Sequence, residues 1–237
     1  MPTPERPTAG KAPTKSLGSR REPLSQERVL ATALDIVDAE GVDALTMRGL
    51  ARELRCTAMA LYRYAESRDA LLDHLVESVM DELDSTPGRD DWPTELRRVA
   101  HGFRGLVLAH PRMVPLLVTR PLATPLGLRP PGTLRPLETI LGLLTDAGFS
   151  ARDALHVYRA LFGLLYGHVL SELQEMVTDP KESEALLRLA LHRLPPEEFP
   201  HVRELSDELA TYDGGAELDK GLDMLFTGLE RQLQPAG

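Results

Sequence analysis

Cysteine is almost missing from this chain: its one copy, Cys56, can close no internal disulfide and has no second thiolate nearby with which to share a zinc ion. Cys56 therefore reads as a small buried side chain. No stretch reaches the roughly 18 consecutive apolar residues of a membrane-crossing helix. The opening MPTPERPTAGKAPTKSLGSRRE lacks the apolar centre of a secretory signal. These absences lead to the expectation of a soluble, cytoplasmic protein with no membrane partner. The histidines His74, His101, His110, His156, His168, His192 and His201 are scattered, without the i, i+4 pairing plus acid of a zinc helix, so neither a metal nor a cofactor is expected. A Gly-rich phosphate cradle and a G-x-S-x-G nucleophile elbow are missing too, which removes two common routes to an enzyme. Almost nothing alternates with the period of two that marks a strand.

What is present can bury a core: 237 residues, 42% of them hydrophobic. That length suits one large helical domain or a small domain joined to a larger one. The formal charge of −9 is unevenly placed. Residues 1–68 carry eleven Lys and Arg against nine Asp and Glu, and the remainder carries sixteen against twenty-seven. A mildly basic head on an acidic body fits an anion-seeking module, and an excess of this size also fits a merely solvated face. Residues 1–23 are rich in Pro, Thr, Ser and Gly with scattered Lys and Arg, the composition of a disordered basic arm.

From there the punctuation is that of helices, and the fold class expected is all-α. Ser25 caps a first helix in which Val29, Leu30, Ala33, Leu34 and Val37 recur at helical spacing until Gly41. Thr46 caps a shorter second helix with Leu50, Ala51 and Leu54 inward. Thr57 caps a third that ends near Tyr64, and Ser67 caps a fourth with Leu71, Leu72, Leu75, Val76, Val79, Met80 and Leu83 on one stripe. Two short helices separated by about three residues make a helix-turn-helix. At about 100° per residue, Ala58, Met59, Tyr62 and Arg63 share one face of the third helix while Leu61 and Ala65 point the other way. The outer face suits a major groove, where Arg63 can bond guanine and Ala58 or Met59 can meet a thymine methyl. Thr46, Arg48, Tyr62, Tyr64 and Arg68 would then hold phosphates, helped by the helix end at Thr57. The alternative at this point is a small helical fragment with solvated arginines.

Residues 45–75, LTMRGLARELRCTAMALYRYAESRDALLDHL, resemble the DNA-binding domain of the tetracycline repressor (TetR) family. Leu61, Tyr62, Tyr64 and Arg68 fall on its hallmark positions. One position departs: the turn usually held by glycine carries Arg55, which is unfavourable if the backbone there has positive φ. Further on, DDWPTELRRVAHGFRGLVLAHPRMVPLLVTRP, LTDAGFSARDALHVYRALFGLLYGHVLSELQE and KGLDMLFTGLERQL are similar to a tetracycline-repressor-like C-terminal domain. The resemblance implies an N-terminal helix-turn-helix domain over 24–70, after the arm of 1–23, and a helical ligand-binding and dimerisation domain over 71–237.

The residues of that second part agree. Ser150 caps a long helix with Leu155, Val157, Leu161, Leu164, Leu165 and Val169, and 216–233 forms another with Leu218, Leu222, Leu225, Leu229 and Leu233. Both are apolar over more of their circumference than one stripe requires, so pairing with their copies in a homodimer is expected. The positions that hold tetracycline and its magnesium in the family are Leu116, Ser171, Val99 and Asp84 here, so metal-linked tetracycline binding is not expected. What the resemblance leaves as a ligand site is Phe103, Leu116, Thr119, Arg120, Pro121, Ile140, Leu144, Leu155, Tyr158 and Phe162, a mainly apolar pocket with one guanidinium. The expected function is a repressor that binds a palindromic double-stranded DNA operator as a homodimer and is released by a hydrophobic small-molecule effector. An activator of the same fold is the nearer alternative, and a helical-bundle enzyme the farther one.

Overall fold

The computed structural model describes residues 23–84, 86, 88, 90–123, 125–176 and 184–233; apart from Pro23, the expected basic arm lies outside the described residues. Within them the chain forms twelve α-helices and no strand, as the all-α reading requires. The first four are α1 (Gln26–Glu40), α2 (Met47–Glu53), α3 (Ala58–Leu61) and α4 (Arg68–Asp81). Then follow α5 (Trp92–Ala109), α6 (Val114–Ala123), α7 (Pro131–Asp146) and α8 (Ala151–Met176). The last are α9 (Glu184–His192), α10 (Pro200–Glu204), α11 (Ser206–Ala210) and α12 (Gly214–Leu233).

Helix starts follow the expected caps. The side chain of Ser25 accepts from the Arg28 amide at 3.2 Å, Thr46 from Gly49 at 3.0 Å, Ser67 from Ala70 at 3.0 Å and Ser150 from Asp153 at 3.1 Å. Each such cap contributes about 1 kcal/mol. Thr57 occupies the cap position of α3, but its side chain makes no capping bond. That helix is also shorter than the sequence suggests: it closes at Leu61, and Tyr62 to Tyr64 continue as a turn.

Helix ends are more revealing. At the end of α7, Gly148 has φ 98°, its amide donates to Thr145 O at 3.0 Å, and the Phe149 amide donates to Leu144 O at 3.1 Å. The same pair of bonds closes α2, where Arg55 donates to Arg52 O at 3.1 Å and Cys56 to Ala51 O at 2.9 Å. This is the Schellman motif, whose left-handed residue is ordinarily glycine. In α2 that residue is Arg55, with φ 53°. The motif turn therefore forms, against a backbone preference that glycine would not oppose.

One hydrophobic cluster runs through the molecule. Val29, Ala33 and Val37 of α1, Leu50 and Ala51 of α2, and Leu61 of α3 close on Leu71, Leu72 and Leu75 of α4. Helix α4 also packs against α6 and α7, so the cluster passes through it into the body without a break. The boundary expected at residue 70 thus falls in the first turn of a helix that both parts share. In the body α5 lies among α7, α8 and α12, burying Leu96, Val99, Ala100, Phe103 and Val107. Trp92 opens it edge-on to Phe149 and Phe226, each 5.4 Å away, which seats the start of α5 as expected. The start of α12 presses on α8 so closely that a Cβ at Gly214 would overlap the Glu172 carboxylate.

Replacing Arg55 by glycine should relieve the left-handed strain and raise the stability of the DNA-free protein by about 1 kcal/mol, a gain of a few degrees in Tm for a chain of this length. Urea or thermal unfolding of Arg55→Gly beside the parent checks this; a loss of stability would mean that the Arg55 side chain makes contacts worth more than the strain.

Candidate nucleic-acid interface and ligand chamber

The head presents α3 with one face sealed and the other open. Leu61 and Ala65 are buried, whereas Met59 is 76% exposed, Tyr62 is 45% exposed and Arg63 is exposed beside them. Ala58 differs from the expectation, being partly buried against the core. Thr46 and Thr57 are exposed at the starts of α2 and α3, and Arg48 is exposed on α2. Arg52 and Arg55 are exposed as well, two cations that the site reading did not include. Met59, Tyr62 and Arg63 thus project from a rigid support, since the residues opposite them cannot leave the core cheaply: burying a leucine is worth about 1.5–3 kcal/mol.

Tyr64 and Arg68 do a different task from the phosphate contact expected of them. The Tyr64 hydroxyl donates its proton to Leu24 O at 2.6 Å. The Arg68 guanidinium donates to Leu45 O and Val42 O, both at 2.7 Å. A hydroxyl has one proton to give, and a guanidinium bound to two carbonyls inside the fold is turned from solvent. Both side chains tie the ends of α1 and the turn after it to the reading helices, and so fix where α3 points.

The ligand residues expected from the sequence divide in a similar way. Phe103 and Phe162 are buried together, their ring centroids 6.0 Å apart, and Tyr158 lies 4.6 Å from Phe162. These three belong to an aromatic cluster completed by Tyr166, which lies 5.6 Å from Phe103 and 5.7 Å from Phe162. A cavity of about 30 Å³ opens against it, walled by Val76 and Met80 of α4, Leu117 of α6, Thr133 and Pro136 of α7, and Arg129 before α7. Leu116 is buried one position away from Leu117. Ile140 and Leu144 are sealed at 0% exposure in the core between helices, Leu155 is half-buried, and none of the three borders this cavity. Thr119 is exposed and donates to Pro115 O within its own helix. The side chain of Pro121 lies outside the described residues.

Arg120 corrects the sequence reading most directly. Its guanidinium does not enter the chamber; it bonds Asp73 Oδ1 and Asp69 Oδ1, each at 2.7 Å, joining α6 to the first turns of α4. Two acids on α4 at i, i+4 offered more charge than the pocket did, and Arg120 sits where α6 crosses them. The cation of the chamber is Arg129 instead. Tyr166 was within reach of sequence reasoning, because Tyr158, Phe162 and Tyr166 follow one another at i, i+4 and i+8 on α8. Arg129, Thr133 and Pro136 were not, since nothing local aims the α6–α7 turn at α8.

Electrostatics set the chamber's character. Burial pushes the Tyr166 phenol up to about 12, with the neighbouring Tyr158 adding to the rise and the Arg129 charge opposing it. Burial raises Tyr158 as well, again against Arg129. Both phenols therefore stay neutral at physiological pH and can donate hydrogen bonds. Among the described residues no cluster of three His, Cys, Asp or Glu could hold a metal ion, and no helix is long and apolar enough to cross a membrane.

Comparison with known proteins gives a consistent result. The family described as "Bacterial regulatory proteins, tetR family" matches residues 29–75, and "Tetracyclin repressor-like, C-terminal domain" matches residues 85–233. The chain is 31% identical over 214 residues to the tetracycline repressor protein class C of Escherichia coli, covering 88% of this chain and 91% of that one. It is 28% identical to the HTH-type transcriptional repressor DrrR1 of Streptomyces coeruleorubidus, over 96% of this chain and 82% of that one. Among solved structures, the TetR family protein ActR of Streptomyces coelicolor in complex with actinorhodin superposes with a TM-score of 0.74 at 28% identity, over 89% of this chain and 99% of that one.

The raised phenol has a testable consequence. Its stabilising contribution is complete below the ordinary tyrosine range and is lost as pH climbs from about 10 to 12, because the unfolded chain ionises first. Between pH 9 and 11 the parent should lose about 1 kcal/mol more stability than Tyr166→Phe, measured by urea unfolding. Near-ultraviolet phenolate absorbance should show the step near pH 12 disappear in the variant.

Proposed function

The chain belongs to the TetR family of bacterial regulatory proteins, a ligand-responsive transcriptional regulator and not an enzyme, and we propose on that premise that it is a repressor whose homodimer holds a palindromic operator until a small apolar molecule releases it. It acts in the cytoplasm, where its DNA target lies. The observation that carries the reading is the open face of α3, with Met59, Tyr62 and Arg63 exposed over a fully buried Leu61. In a major groove Arg63 bonds the guanine edge and Met59 meets a thymine methyl. Thr46, Arg48, Thr57 and Tyr62 take phosphates, and Tyr64 and Arg68 hold the frame behind them.

One such helix reads only a few base pairs, so useful affinity needs two copies about a helical turn, or a multiple of it, apart. The outward faces of α8 and α12 favour that pairing. On α8 the small residues Ala160, Gly163 and Gly167 are exposed in line with Leu170, and a Cβ added at either glycine would meet nothing within 4 Å. On α12 Met224 stands 77% exposed. Small residues let a partner helix approach closely, and the two large side chains then cross the seam.

Release follows from the position of the chamber. Its walls are α4, α6, α7 and α8, so a ligand that enlarges it displaces α4 relative to the dimer seam on α8. Helix α4 carries the reading head, and the Arg120 bonds to Asp69 and Asp73 pass movement of α6 to the same helix. To empty the operator the ligand must favour the displaced state by several kcal/mol, about 5.5 for a shift from 1:99 to 99:1.

In gel shifts with the DNA upstream of its own gene, Tyr62→Ala and Arg63→Ala should each weaken binding about tenfold or more, and Arg48→Ala should also flatten the salt dependence by about one unit of slope. Unchanged binding by both Tyr62 and Arg63 variants would refute the assignment of this face. Gly167→Glu should convert the dimer to a monomer on size exclusion and abolish operator binding; a dimer that survives it would place the seam elsewhere.

A further inference from the structure

The chamber has a chemical polarity that the fold does not require. On one side stand four aromatic rings, Tyr158, Phe162 and Tyr166 in sequence along α8 with Phe103 from α5, at centroid separations of 4.6–6.0 Å. Facing them is Arg129, and no carboxylate borders the cavity among the described residues. The two α8 tyrosines both sense the guanidinium, whose charge favours their ionised forms against the effect of burial. The cavity itself is only about 30 Å³, room for about one water molecule. A ligand must therefore part the rings to enter.

Ring geometry decides which ligands do so at least cost. Tyr158 and Phe162 are tilted by only 40° at 4.6 Å, already near a stacked arrangement. A flat aromatic body that slides between them replaces ring contacts with ring contacts, whereas an aliphatic or globular body only breaks them. Direction is set by charge. A second hollow of about 320 Å³ lies on the far side of Met80 and Pro136, rimmed by Asp81, Glu82 and Asp84, with Arg135 already paired to Asp81 at 2.6 Å. An acidic substituent is repelled from that side and drawn to Arg129. Aromatic faces can also attract cations, but a cation here would share the space with a guanidinium.

We propose that the effector is a planar polycyclic aromatic acid, a carboxylate or an ionised phenol on fused rings, and that Arg129 is the residue that selects its charge. This rests on the reading of the chamber as the effector site and goes beyond it by naming the chemical class and the selecting residue. Arg129 also lies next to Pro130 and Pro131 at the start of α7, so an anion that holds it there fixes the position of that helix against α4.

Three probes of one shape test the proposal on the full-length dimer: anthracene-9-carboxylate, 9-anthracenemethanol and 9-(aminomethyl)anthracene, titrated by fluorescence. The carboxylate should bind at least tenfold tighter than the alcohol, and the amine weakest. Arg129→Gln should erase that preference while leaving the alcohol within about twofold, and Arg129→Lys should retain most of it. Phe162→Leu should weaken all three, which places them between the rings. Equal binding of the three probes, a preference that survives Arg129→Gln, or no binding of any probe overturns the proposal. Operator binding by the ligand-free variants is measured alongside. If the DNA is held but charge preference is missing, only the ligand class fails; if the parent does not bind DNA, the regulator reading fails.

Discussion

Burial of α4 on both flanks is the constraint on which the remainder of the molecule depends. Leu71, Leu72, Leu75, Val76 and Val79 are all at most 3% exposed, with α1 on one side and α6 and α7 on the other. At about 1.5–3 kcal/mol for each such side chain, α4 cannot peel from either neighbour, and a close-packed helix does not bend without a proline or an inserted group. It can therefore move only as a rod, together with the small head attached to its first turn. That stiffness lets a change of a few ångströms in the chamber reach a surface that reads DNA.

The charged contacts around α4 act on its register more than on stability. Arg120 joins Asp69 and Asp73, Arg135 joins Asp81, and His110 joins Asp38 of α1 at 2.7 Å while facing Glu82 at 3.7 Å. Asp69 is 80% exposed and Arg135 64%, so water and salt screen these pairs to about 1 kcal/mol or less each. Their worth is geometric: they give α4 one preferred placement against α1, α6 and α7. The Arg104–Glu172 pair is different in kind. Glu172 is 3% exposed and accepts from two nitrogens of Arg104, which joins α5 to α8 just where Gly214 starts α12. Losing one partner there would strand a buried charge, which makes the arrangement of the dimer helices stiff.

Much of this was legible in the sequence because its signals are local. Ser25, Thr46, Ser67 and Ser150 cap the helices they were expected to cap, since a hydroxyl reaches an amide only three residues away. The stripe of α4 and the split faces of α3 follow from 3.6 residues per turn. The strained turn was legible too, because Arg55 stands where a left-handed residue was expected, and φ 53° is what the Schellman bonds demand. Less legible were long side chains. Tyr64, Arg68 and Arg120 each looked like a polar group seeking a ligand, and each found a partner within the protein.

Sequence by itself determined the helices, their caps, the buried stripes and the family, all of which rest on neighbours a few residues apart or on patterns repeated along the chain. Tertiary structure alone decided that Arg129 rather than Arg120 charges the chamber, and that Tyr166 completes its aromatic wall. The reason is reach. A guanidinium on a flexible stem goes to whichever acid or cavity the packing of distant helices brings within a few ångströms, and here α6 crosses α4 at Asp69 and Asp73 while the turn before α7 faces α8.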